Sequence, residues 1–152
     1  MQTFLPYIGS AESTHAYYEE CAGLLDRERL GKQRVENFQI MKALLVGGTG
    51  WDNHPAVKMW RGHEWSLLMY QDAICKEWIH QFGFKDTCLD KTILLYFKNA
   101  DLESTADHSD PPWLYDKAIH TSHQSNLIRK DPEYYRKKFK GVPDDLPYIW
   151  PV

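Results

Sequence analysis

Two long stretches with apolar residues at helical spacing dominate this chain and point to an all-α fold. Between Leu24 and Val46, Leu30, Val35, Phe38, Met41 and Leu45 recur close to the helical period, with Asp26 as N-cap and Gly47-Gly48-Thr49-Gly50 as the stop. A second helix is expected from Pro55 to Gly83. Trp60, Glu64, Leu67, Gln71, Ile74 and Trp78 fall on one stripe there, and proline suits a first turn. Asp86 to Phe97 fits a buried helix or a short strand, because periodicity does not separate the two. Asn99 to Pro112 reads as an acidic, turn-rich loop. Helix returns over Asp116 to Arg129, and Asp131-Pro132 opens a short helix, Glu133 to Phe139. Three prolines keep the tail, Val142 to Pro151, out of any helix. The expectation is a single compact helical domain over residues 1–152 with an extended Pro-rich C-terminal strap.

A chain of 152 residues buries a real core without disulfides or metal. Its three cysteines, Cys21, Cys75 and Cys88, are odd in number and lack CxxC spacing, which argues against a disulfide framework and a thiolate zinc site. No apolar run approaches the roughly 20 residues of a membrane helix. Met1 to Pro6 lacks the basic-then-apolar pattern of a signal peptide. A cytoplasmic protein with no membrane partner is expected. The net charge of −3 confines any nucleic-acid affinity to local patches, or else implies a small ligand. Six Trp and nine Tyr supply both core and candidate stacking platforms for bases.

Three polar constellations carry candidate chemistry. In Asp26 to Glu36, Arg27, Arg29 and Arg34 offer planar forks suited to phosphate oxygens, and Gln33 adds a base-edge or phosphate contact. The competing reading is a solvated face with i, i+4 pairs such as Lys32 with Glu36. In Trp51 to Trp65, Asn53-His54-Pro55 sets His54 beside the unpaired N–H groups of a helix entrance, where an anion binds. Trp60, Arg61, His63 and Glu64 crowd the next turn, and Gly62 within a helix suggests close approach of backbone or ligand. The plain alternative is a capping histidine on an ordinary amphipathic helix. In His120 to Lys138, His120 and His123 share a face, but no third ligand and no HExxH accompany them, so no metal or cofactor is expected. Polar recognition fits better. His123, Asn126 and Lys130 follow one stripe, and the basic run from Arg129 to Lys140 suits a phosphate backbone.

Two of these segments resemble a known family. Leu25-Asp26-Arg27-Glu28-Arg29-Leu30-Gly31-Lys32-Gln33-Arg34-Val35-Glu36 resembles its LDRxRLxxQRxE signature, and Ser122-His123-Gln124-Ser125-Asn126-Leu127-Ile128-Arg129-Lys130-Asp131-Pro132-Glu133-Tyr134-Tyr135 its SHxxxLxxKxPxYY signature. Together they look like the pyrimidine-dimer DNA glycosylases of the phage endonuclease V type, and in detail like a bacterial and phage branch of them. The resemblance implies an α-helical protein that kinks duplex DNA and flips a base. It also implies cleavage of the glycosidic bond by an N-terminal α-amine through a Schiff base, helped by a glutamate and arginines of an early helix. Gln2 is too large for removal of the initiator methionine, so that amine would be Met1's. The position of that glutamate falls on Glu28 or Arg29 according to register, with Glu36 a further candidate.

The resulting expectation is excision of a damaged or modified base from duplex DNA. Met1, Glu28, Glu36 and His123 are the catalytic candidates. Arg27, Arg29, Gln33, Arg34, Arg61, His120, Arg129 and Lys130 join His54 and Asn126 as ligand- and phosphate-binding candidates. Arg34, His54 and His123 are expected to converge on one negatively charged guest. The alternative is a noncatalytic binder of a nucleotide or other phosphate-bearing small molecule, a signalling nucleotide among them, and a third option is an interaction protein with a Trp-rich face. Sequence leaves the oligomeric state open.

Overall fold

The computed structural model describes residues 1–100 and 108–152. Among them are helices and no strand: α1 (Thr14–Leu24), α2 (Arg27–Leu45), α3 (Pro55–Lys58), α4 (Glu64–Phe82), α5 (Cys88–Asn99), α6 (Lys117–Lys130) and α7 (Pro132–Tyr135). The helix expected over Leu24–Val46 is α2, started by Asp26, whose carboxylate accepts from Glu28 N at 2.8 Å and Arg29 N at 3.1 Å. The alternatives for Asp86–Phe97 resolve to helix, as α5. Part of the loop expected over Asn99–Pro112 lies outside the described residues.

Two expectations change. The stripe from Pro55 to Gly83 is not one helix: α3 ends within a turn, and the chain turns at Gly62, with φ of +82°, before α4 starts. Gly62 supplies a left-handed backbone that a side chain disfavours, and no other protein atom crowds the place of its missing Cβ. The sequence reading also missed α1, capped by Ser13. Its residues are as aromatic as they are aliphatic and give only a weak apolar stripe.

The core is unusually aromatic. Trp60, with no exposed surface, stacks on Tyr70 at 5.9 Å and meets Trp113 edge-on at 5.0 Å, while Tyr18 leans on both Trp60 and Tyr70. Each ring that carries a donor finds an acceptor, as burial requires. Trp60 Nε1 donates to Thr3, Trp113 Nε1 to the Met59 carbonyl and Tyr18 pairs with Ser66. Helices α2 and α4 come close where Gly31 faces Trp78; a Cβ at Gly31 would lie 3.0 Å from that indole.

The segment before α1 runs through this core. Thr3, Phe4, Leu5 and Pro6 are buried yet belong to no helix or sheet. Their backbone groups pair instead with side chains of the helices around them. The C-terminal residues from Val142 onward carry no helix and hydrogen-bond to α6, with Leu146 N donating to Ser125 Oγ at 3.0 Å and Ile149 N to Ser122 Oγ at 3.2 Å.

Trp60→Ala removes the centre of the aromatic cluster and the Thr3 bond together. It is expected to lower the unfolding free energy by about 3–5 kcal/mol in urea melts. A loss under about 1 kcal/mol would mean that the cluster is not central to stability.

A candidate active site around the N-terminus

Gln33 and Glu36 lie one turn apart on α2 and face the N-terminal segment. Glu36, 7% exposed, accepts a hydrogen bond from Gln2 N. Gln33, fully buried, accepts from Phe4 N at 3.0 Å and donates to the Gln2 carbonyl at 3.2 Å and to Asn37 at 2.7 Å. From the other side, α6 presents His123, whose Nδ1 accepts from Leu5 N at 3.0 Å, and His120, whose Nδ1 lies 2.7 Å from the Leu5 carbonyl. Gln124 donates to the Tyr7 carbonyl at 2.8 Å, and Tyr70 of α4 donates to the Phe4 carbonyl. The segment is thus gripped on both sides, and the Met1 α-amine starts one residue from the Glu36 carboxylate.

Two further elements adjoin this segment. His54 caps α3 by accepting from Ala56 N through Nδ1 at 3.1 Å. Burial chiefly, and the positive N-terminus next, hold its pKa below the usual histidine value, while Glu36 pulls the other way. His54 therefore shares a neighbourhood with both groups. The C-terminal segment brings Trp150, whose ring meets His54 edge-on at 5.9 Å, His123 at 6.3 Å and stacks with Tyr148 at 5.3 Å. His123 is fully buried; desolvation, with His120 nearby, drives its pKa down to about 3. In both histidines a backbone N–H occupies Nδ1, so the neutral ring carries its proton on Nε2.

Cations flank this site. A recess of about 50 Å³ is lined by Gln2, Phe4, Glu28, Arg29, Lys32 and Lys130. Lys32 lies 3.6 Å from Glu36, and Lys130 sits 6.0 Å over the Phe4 ring. Burial and the adjacent charges of Lys32 and Arg29 lower the Lys130 pKa, which marks a crowded positive corner. One turn along α6 from His123, a cleft of about 650 Å³ opens between Tyr7, Tyr115, Lys117, His120, Gln124 and Lys140.

The expected convergence of Arg34, His54 and His123 is half met. His54 and His123 share Trp150, whereas Arg34 stacks over Trp78, 4.2 Å from the ring centroid, and pairs with Asp86 ahead of α5. Burial pushes the Asp86 carboxyl up, but the Leu89 and Cys88 backbone N–H groups and Arg34 outweigh it and hold the pKa low. Arg34 is therefore committed to joining α2, α4 and α5. Arg129 is likewise engaged, donating to the Asp144 carbonyl at 2.6 Å, to the Leu146 carbonyl at 2.9 Å and to Asn126. Both arginines, expected as phosphate ligands, have intramolecular partners. Gln33 and Asn126 are likewise buried and hydrogen-bonded within the protein. His120 is spent on Tyr17 and on the Leu114 carbonyl, 2.6 Å away. Glu28, with its side chain 78% exposed, pairs with Arg29 on the rim. Arg27 is exposed on the first turn of α2, and Arg61 reaches the Asp52 carbonyl at 3.1 Å. Sequence marks Leu146, Tyr148, Ile149 and Trp150 as the residues that pack the strap on the body, and gives Tyr148 and Trp150 no role at the site. Their signal was alternation: Leu146, Tyr148 and Trp150 are half-buried, whereas Pro147 and Ile149 between them are exposed.

With this geometry the family question is settled. The model for pyrimidine dimer DNA glycosylases matches residues 1–92, more than half of the chain. The chain belongs to the pyrimidine dimer DNA glycosylase family. No curated protein and no solved structure matches it. Its coarse function is DNA repair of the glycosylase type, with DNA as partner. The match spans the N-terminal segment, Glu36 and His54, while His123, Tyr148 and Trp150 lie beyond it. No described helix is long and apolar enough to cross a membrane.

The burial of neutral His123 has a consequence for stability. The unfolded chain binds a proton at this histidine near pH 6.5, and the folded chain does not until about pH 3. Stability contributed by this site is therefore full above pH 6.5 and falls as pH drops below it, by about 1.4 kcal/mol per pH unit. Urea melts between pH 7 and pH 5 should show that slope in the native chain and lose about one proton's worth of it in His123→Asn. An unchanged slope in the variant would show that His123 is not buried in the neutral form.

Proposed function

We propose that this protein excises a damaged or modified base from duplex DNA, with the Met1 α-amine as nucleophile and Glu36 as its carboxylate partner. The supporting observation is the grip on the N-terminus: Glu36 accepts from Gln2 N, and Gln33 and His123 hold the next amides. A nucleophile on a chain end needs such fixing, since the first residues of most chains are poorly ordered unless tied down. Of the candidate glutamates, Glu36 is buried on the amide next to Met1 and Glu28 points to solvent.

The reaction follows from these positions. The amine nitrogen bonds to the sugar C1′ and the base leaves with the electron pair of the glycosidic bond. Glu36 takes a proton from the nitrogen and returns it to the ring oxygen as C1′–O4′ opens, which leaves an imine between Met1 and the sugar. Lys32, Lys130 and Arg29 hold phosphates beside the attacked nucleotide. The cleft along α6 has a volume suited to one extruded nucleotide, with Tyr7 and Tyr115 as stacking faces and Lys117 and Lys140 for its phosphate.

Incubation with ultraviolet-irradiated duplex should give strand scission and a borohydride-trapped covalent complex, both absent with undamaged duplex. Glu36→Gln keeps an acceptor for Gln2 N but cannot move the proton, and should slow both by roughly 100-fold or more. Absence of scission and trapping on both DNAs would remove the excision reading. In a separate measurement, Lys130→Ala should weaken duplex binding on all sequences and reduce the salt slope of log K by about 1; an unchanged slope would take Lys130 off the phosphate path.

A further inference from the structure

The polar atoms left over at this site point to a role that the amine and Glu36 do not fill. His123 Nε2 is buried without a hydrogen-bond partner among the described residues, and so is Tyr148 Oη. The two rings lie 5.3 Å apart, one on α6 and the other on the C-terminal segment, and both pack against Trp150. A buried polar group left unpaired costs about 1–3 kcal/mol, so two such groups side by side on separate elements are not what packing alone selects. Both stay neutral donors at ordinary pH. His123 carries its proton on Nε2, and burial raises the Tyr148 pKa, with Arg129 opposing and Glu36 adding to the rise. Through Trp150, which also meets His54, the tyrosine adjoins the rest of the site.

We propose that His123 Nε2–H and Tyr148 Oη–H form a two-donor site for the carbonyl oxygen adjoining the glycosidic nitrogen of the departing base. The proposal rests on the excision reading above. As the amine nitrogen bonds to C1′, the bond from C1′ to the base breaks and its electron pair leaves with the base. In a pyrimidine-type base the resulting negative charge is shared with the carbonyl oxygen next to that nitrogen. One amine proton then ends on the base, which balances the step. Donors already oriented in a dry site favour this charge as it develops more than they favour the intact nucleotide. The base reaches the donors by displacing Trp150. That ring is half-buried, and its segment is held to α6 by the side chains of Ser122, Ser125 and Arg129.

The full chain and its Tyr148→Phe variant would be compared on two duplexes, one irradiated and one carrying a pre-formed abasic site, with the borohydride-trapped complex followed in single turnover. The abasic site needs no base departure. The variant should therefore trap it at the native rate while losing about 100-fold on irradiated duplex. Its melting temperature should be unchanged or higher, because a buried hydroxyl without a partner is gone. Equal rates for variant and native chain on irradiated DNA would overturn the proposal, and so would equal slowing on both duplexes. A native chain that traps neither duplex would instead overturn the excision reading itself.

Discussion

An extended segment in a protein interior needs partners for its amide and carbonyl groups, and in this protein the helices provide them through side chains. Residues Gln2 to Tyr7 receive from Glu36, Gln33, His123, Tyr70 and Gln124 what a neighbouring strand would otherwise give. Each such bond contributes only about 1 kcal/mol net, but leaving the amide unpaired costs more. The clamp therefore fixes register. A slip of one residue along the segment would orphan several buried groups at once. The same register places the Gln2 amide, next to the α-amine, on Glu36.

This constraint explains the odd composition of α6. From Ile119 to Ile128 every residue but Thr121 is buried, yet His120, Ser122, His123, Gln124, Ser125 and Asn126 are polar. A helix buried all round is usually apolar. Here it is a polar splint between two chain ends, with His120, His123 and Gln124 turned to the N-terminal segment and Ser122, Ser125 and Arg129 turned to the C-terminal one. Both ends of the chain therefore meet at one place, and Trp150 joins them by touching His54 and His123 together.

Electrostatics divides the site into a neutral interior and a positive rim. His123 is neutral through burial, Glu36 holds the amide next to the α-amine, and Lys32, Lys130 and Arg29 stand outside it. A net charge of −3 is compatible with DNA because affinity needs only this corner and the lysines of the adjoining cleft. The arginines that drew attention in the sequence serve elsewhere. Arg34 ties three helices through Asp86 and Trp78, and Arg129 anchors the tail.

Sequence by itself determined the helices that have punctuated ends. Asp26, Asp116, Pro55 and Pro132 mark starts because side-chain caps and proline act within one turn. It also placed Gln33 with Glu36 and His120 with His123 on common faces, since helical spacing alone sets that, and the signature residues pointed to the family. It did not show the break at Gly62, where a left-handed turn interrupts an otherwise continuous stripe, nor α1, whose buried side is half tyrosine. Only the tertiary structure decided what each face meets. Spacing says that Arg34 and Glu36 leave α2 in different directions, but not that one finds Asp86 and the other the N-terminus. Partners dozens of residues apart are chosen by packing, and no local pattern encodes that choice.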